Sequence, residues 1–187
     1  MSTQEQSSLT PAQQAMVDTW EEHTASEFET KSIEATMKTM TENPYVNHVP
    51  VMTGGVGKEG VKNFYSTYFI PAQPKNTEVT LVSRTVGQHQ IVDELIHKFT
   101  HTIEMPWILP GVPPTGKQVE IPIVVVVQFE AGKIAHEHIY WDQASVLAQV
   151  GLIDPSKLPV VGARSAEKVQ NPTLPPNELI KRVKGQK

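Results

Sequence analysis

At residue 76 the spacing of apolar side chains changes, and that change constrains the fold more than any other feature of the chain. Before it, residues recur at helical intervals. Met16, Val17, Trp20, Thr24 and Phe28 form one stripe, Ile33, Met37 and Met40 a second, and Val61, Phe64, Tyr65 and Tyr68 a third. After it the period is two, most clearly where Val119, Ile121, Ile123, Val125, Val127 and Phe129 alternate with other residues. Three helices followed by a meander of long strands predict an α+β domain, its helices packed on one face of a strongly curved antiparallel sheet. That curvature leaves a cone-shaped cavity.

Local signals place the boundaries. Thr10 suits a helix N-cap, with Pro11 in the first turn and Gln13 completing a capping box. Asn43-Pro44 should end the second helix, and residues 45–51 read as a short extended piece. The glycine-rich Gly54-Gly55-Val56-Gly57 reads as a flexible loop, and Pro71 and Pro74 close the third helix. Strands are expected over 77–86, 90–105 and 119–129, with a proline- and glycine-rich loop over 106–118. A turn at 130–133 leads into the last strand, and a short helix from Asp142 stops at Gly151. Residues 1–9 are polar and expected to be disordered, and 10–153 form the domain. Residues 154–187, with Pro155, Pro159, Pro172, Pro175 and Pro176, read as an extended tail.

Composition removes several function classes. With 187 residues the chain can bury an ordinary core unaided, and with no cysteine it has neither thiol catalysis nor zinc–thiolate sites. No apolar run reaches the roughly 18 residues of a membrane span, and the N-terminus is polar rather than signal-like. A soluble, cytoplasmic protein is therefore expected. The net charge is −4 and no basic face is visible, which argues against nucleic acid as a partner. Gly55-x-Gly57-x-x-Gly60 matches a dinucleotide fingerprint in letters only, because it lies between helices rather than in a βαβ unit.

The densest chemistry lies between Gly132 and Asp142. Alternation puts His136, His138, Tyr140 and Asp142 on one face of the last strand, with Glu137, Ile139 and Trp141 on the other. Four polar groups on one face predict that this face lines the cavity. Asp142 also precedes a helix, where an aspartate caps backbone N–H groups. His136 and His138 could converge on a metal ion, with His101 or Glu104 as a third ligand, but no spacing specifies that ligand. His48, His101, Tyr65 and Trp107 are further pocket candidates, Trp107 as part of a lid with Leu109 and Pro110. Asp93 and Glu94 are adjacent on a strand, face opposite ways, and cannot act as one carboxylate pair.

The order of elements over about residues 12–153 resembles the NTF2-like superfamily and, within it, the SnoaL-like polyketide cyclases. Thr115-Gly116-Lys117, the Gly132-Lys133-Ile134 turn, Asp142 and Leu147-x-Gln149-x-Gly151 carry the likeness. The resemblance implies a conical α+β fold, commonly a homodimer, with a pocket between sheet and helices. It also implies that Asp142 acts as a general base on carbon next to a carbonyl. A tryptophan is usual four residues before that aspartate; His138 stands there instead. The resulting expectation is a cofactor-independent, metal-free enzyme of cyclase, isomerase, dehydratase or hydrolase type acting on a small apolar carbonyl compound. Asp142 would move the proton, and His138, with His136, His48 or Tyr140, would hold the developing oxyanion. The alternatives are a non-catalytic binder of small hydrophobic molecules and a His-ligated metal hydrolase.

Overall fold

A computed structural model describes residues 9–183. The expected disorder of the N-terminus falls on residues that, apart from an exposed Leu9, lie outside those described. Helix α1 spans Pro11–Phe28 and opens with the expected box: Gln13 N–H donates to Thr10 Oγ1, and Thr10 N–H to Gln13 Oε1. Helix α2, Ile33–Lys38, is shorter than the apolar spacing suggested. Asn43-Pro44 does not end it but sits inside strand β1, Met40–His48. There the pairing of β1 with the last strand shifts register between Met40 and Tyr45. Such a break tolerates a residue without an N–H.

The glycine-rich segment is likewise not a loop. Gly54 and Gly55 belong to strand β2, Thr53–Val56, which pairs antiparallel with β1. A Cβ on Gly54 would lie 1.9 Å from the Val46 carbonyl oxygen, and one on Gly55 2.4 Å from that of Gly60. These glycines are required by close backbone approach. Helix α3, Gly57–Phe64, runs on through a π-turn at Tyr65–Phe69 and a short 3₁₀ turn at Ile70–Ala72.

Strands β3 (Glu78–Val86), β4 (Gln90–Thr100), β5 (Gln118–Glu130) and β6 (Lys133–Trp141) form the meander. The six-stranded sheet has the order β2-β1-β6-β5-β4-β3, antiparallel throughout except where β1 meets β6. β4 ends five residues earlier than 105, so His101 is in the following loop rather than mid-strand. Its backbone still pairs across the loop, its N–H donating to Lys117 O and its carbonyl accepting from Gly116 N–H.

One irregularity decides the site. Gln128 pairs with His136 but Phe129 pairs with Ile134, leaving Ala135 with no partner. The extra residue is a β-bulge, and it exchanges the faces of everything beyond it. Ile134 is in the core, and so are Glu137, Ile139 and Trp141, whereas His136, His138 and Tyr140 turn to the convex side.

Helix α4, Gln143–Gln149, follows, and the tail is not simply extended. It contains α5, Arg164–Gln170, and α6, Glu178–Val183. Val160 and Ala166 are buried, Gly162 N–H donates to Ser145 Oγ, and Gln170 Nε2 donates to Glu120 Oε1, which ties the tail to α4 and β5. Among the described residues no helix is long and apolar enough to cross a membrane.

Candidate active site

The concave face of the sheet, α1 and the Tyr65–Phe69 turn enclose a cavity of about 530 Å³. That is within the range that holds a drug-sized ligand. Much of its wall is apolar: Phe28, Val46, Phe69, Ile123, Val125 and Ile139 all line it.

The main polar feature is a buried cluster built from α1, Tyr65 and β6. His23 and Glu27, one helical turn apart, sit on the inward stripe of α1 with Met16 and Trp20. Thr39 Oγ1 donates to the Thr36 carbonyl at 2.6 Å, so its lone pair must accept from His23 Nδ1–H at 2.7 Å. His23 Nε2 then points to Glu27 Oε1 at 3.1 Å, Tyr65 OH at 3.2 Å and Glu137 Oε1 at 3.3 Å. Tyr65 OH donates to Glu137 Oε1 at 2.9 Å. Glu27 and Glu137 both line the cavity, and neither Oε2 is hydrogen-bonded to the protein among the described residues.

Electrostatics separates these groups. Burial opposes charge on His23, but the carboxylates of Glu27 and Glu137 outweigh it and push the imidazole up to about 10. Burial raises Glu27 above the usual carboxylate range, with His23 pulling only partly against it. Burial also opposes ionisation of Glu137, yet the charge of His23 and bonds from His23 and Tyr65 hold it below its usual value. Burial, followed by the two carboxylates, keeps Tyr65 protonated well above 10. The site is thus an imidazolium between an ionised Glu137 and a Glu27 that protonates more readily. One nitrogen of His23 and one oxygen from each glutamate lie within 4.8 Å of one another, so this trio could also bridge a divalent cation.

A second group lines the wall formed by β1, β4 and the loop after β4. His48, His97 and Trp107 are buried, with ring centroids 5.4 Å apart for His48–Trp107 and 5.6 Å for His97–Trp107. Burial lowers His48 to about 4 despite the nearby charge of Glu137. Burial, with His48 as neighbour, lowers His97 to about 4 as well, so both rings are neutral near pH 7. A third element of the lining joins α1 to β3 and β4: Arg84 donates from Nε and Nη2 to Asp93, at 2.7 and 2.9 Å, and Trp20 Nε1 adds a third bond at 2.8 Å.

The family model for SnoaL-like polyketide cyclases matches residues 11–150, three-quarters of the chain. The chain belongs to this family. A candidate SnoaL-like polyketide cyclase from Jannaschia sp. CCS1 is 17% identical, with a TM-score of 0.62 over 79% of this chain and 99% of that one. A hypothetical protein of ketosteroid isomerase-like fold from Catenulispora acidiphila, solved with trimethylamine, is 18% identical, with a TM-score of 0.55 over 78% and 96%. TsrD from Streptomyces laurentii is 16% identical, with a TM-score of 0.57 over 78% and 100%. At these identities the structural likeness establishes the NTF2-like fold. No curated protein matches the sequence.

Within this SnoaL-like frame the residues expected at the site divide. His48, Tyr65 and Trp107 line the cavity, Trp107 as a buried inner wall rather than a lid. His136, His138, Tyr140 and Asp142 do share a face, but the bulge at Ala135 makes it the convex one. His136 and His138 stack at 4.7 Å with no third ligand grouped beside them among the described residues, and Tyr140 is 43% exposed. Asp142 is exposed and caps α4, accepting from Ala144 N–H at 3.0 Å and Ser145 Oγ at 2.6 Å. His101 is buried beside Thr115 and does not line the cavity. Asp93 and Glu94 point apart as expected, but Asp93 reaches the cavity while Glu94 accepts from Ser83. Glu137, His23, Glu27 and His97 were missed. His23 and Glu27 were detectable, since 16, 20, 23 and 27 is a helical stripe with two ionisable members.

Proposed function

We propose that this SnoaL-like chain is an acid–base enzyme that removes and returns a proton next to the carbonyl of a small, largely apolar compound. Glu137 is the base and Glu27 the acid. The observation that carries this reading is the pair of buried carboxylates around one protonated imidazole, both opening onto an apolar cavity. Surroundings that push two carboxyl groups in opposite directions divide base from acid. Glu137, kept ionised, takes the carbon-bound proton on its unengaged Oε2, and Glu27, kept protonated to higher pH, supplies one to the developing enolate or leaving group. Tyr65 and His23 hold Glu137 in place by its other oxygen. Cyclisation, isomerisation and elimination all begin with such a step, so the assignment is to a proton transfer rather than to one end product.

Proton exchange tests it without knowledge of the substrate. Methyl 2-naphthyl ketone in D₂O should gain deuterium in its methyl group faster with wild-type protein than in buffer, followed by proton NMR. Glu137→Gln should reduce the catalysed rate by about a hundredfold or more, the usual worth of a positioned base, while Asp142→Asn leaves it unchanged. Wild-type protein that binds the ketone but leaves its exchange at the buffer rate overturns the catalytic reading in favour of a ligand carrier.

A further inference from the structure

Trp107 presents a problem that its own protein does not solve. An indole N–H can only donate. Those of Trp20 and Trp141 have acceptors, Asp93 at 2.8 Å and Gln143 at 2.6 Å. Trp107 Nε1 is buried with no partner among the described residues, and so are His97 Nε2, His48 Nδ1 and Thr77 Oγ1. All four residues line the same cavity. Natural structures rarely leave such groups unmatched, because each forfeits its bonds to water.

The backbone that carries the indole is pinned on both sides. Thr53 Oγ1 holds the Trp107 carbonyl at 2.7 Å, and Gln143 Nε2 holds that of Ile108 at 2.9 Å. Phe69 packs edge-on against the indole at 5.3 Å, and Phe64 lies 5.3 Å from His48, so these two neighbours offer no acceptor. The acceptor has to come from whatever fills the cavity, and a ligand oxygen can take that place.

We infer that Trp107, with His97, forms a subsite for one uncharged oxygen acceptor, such as a ketone, ester or quinone oxygen, and that the cavity rejects carboxylates and phosphates. The charge distribution supports the second half. Glu21, Glu29, Asp93 and Glu137 line the cavity, against Arg84 as the one arginine or lysine of the lining among the described residues. Arg84 is consumed by Asp93 and Glu21. His23 is enclosed by two carboxylates, and burial keeps His48 and His97 neutral. An anion entering would lose its water, meet like charge and find no free cation. A neutral oxygen needs only the Trp107 N–H, joined by His97 in the tautomer that carries its proton on Nε2.

The subsite stands on its own geometry. It rests on the acid–base reading above only in taking the bound oxygen to be that of the reacting carbonyl.

Equilibrium dialysis against three probes of one shape tests it: methyl 2-naphthyl ketone, 2-naphthoate and 2-isopropenylnaphthalene. Wild-type protein should bind the ketone at least tenfold tighter than the naphthoate. Trp107→Phe should weaken the ketone about tenfold, as expected for a lost buried hydrogen bond, and leave the hydrocarbon within twofold. His97→Phe should act the same way, and Asp142→Asn, outside the cavity, should retain ketone binding. Naphthoate binding as well as the ketone, no probe binding at all, or unchanged ketone affinity in both aromatic variants overturns the inference. Trp107-dependent ketone binding without Glu137-dependent exchange keeps the subsite and sinks only the catalytic reading.

Discussion

Asp93→Asn should destabilise the fold by about 3 kcal/mol, whereas Glu94→Gln, one residue on, should cost less than about 0.5 kcal/mol. Asp93 is 2% exposed and accepts three hydrogen bonds, two from Arg84 and one from Trp20 Nε1. An asparagine there loses the charge and turns an amide N–H₂ toward a guanidinium that can only donate. Removing one partner of a buried ion pair costs about 3–5 kcal/mol, because the other charge is left without compensation. The lower end applies, since the Arg84 side chain keeps 17% of its exposure and a second bond to Glu21 at 2.9 Å. For a chain of 187 residues, about 3 kcal/mol corresponds to a drop in Tm of about 6–12 °C. Urea denaturation should show the midpoint fall with the slope unchanged. Glu94 faces out of the sheet and loses only a bond to Ser83. A loss below about 1 kcal/mol for Asp93→Asn, or equal losses for both variants, would refute the claim that Asp93 clamps α1 to β3.

Asp142→Ala should remove the cap of α4 and cost about 1 kcal/mol in urea denaturation, with ketone exchange retained; a loss of exchange in a fully folded variant would return Asp142 to the mechanism. His23, at 6.5 when unfolded and about 10 when folded, binds its proton more tightly in the native state. That stability is complete below pH 6.5 and is lost as pH climbs through 10, so wild-type denaturation midpoints should fall over that window. His23→Gln should flatten the decline, and a flat wild-type profile would contradict the cluster's charge assignment. Gly54→Ala should cost more than about 2 kcal/mol, since φ is 145° and the new Cβ would strike the Val46 carbonyl; circular dichroism melts that overlay those of wild type would show that β2 can give way.

The fold was legible where one local rule decides. Thr10 and Gln13 form their box because capping involves only neighbours in sequence. The alternation of Val119 to Phe129 becomes β5 because its whole inner face is buried. Elsewhere long-range pairing overrode local preference. Met40 continues the spacing of Ile33 and Met37 but is taken up by β1, where it pairs with Ile134. Gly54 and Gly55 read as freedom, yet the close approach of β1 and α3 makes them necessary.

The site failed on parity for a definite reason. Ile134, His136, His138 and Tyr140 occupy alternate positions, so an unbroken strand that buries Ile134 would bury the histidines too. The other end of β6 demands the opposite: Ile139 and Trp141 are apolar, and Glu137 meets His23 and Tyr65 inside. Both ends can be satisfied only if one residue is inserted between them, and Ala135 is that residue. Nothing local marks it. The conflict between Ile134 and Ile139 is visible in the sequence, but resolving it requires knowing that α1 carries His23 and Glu27 to the same place, more than a hundred residues away. The bulge is therefore what brings Glu137 into the cavity, and the acid–base assignment depends on that one inserted residue.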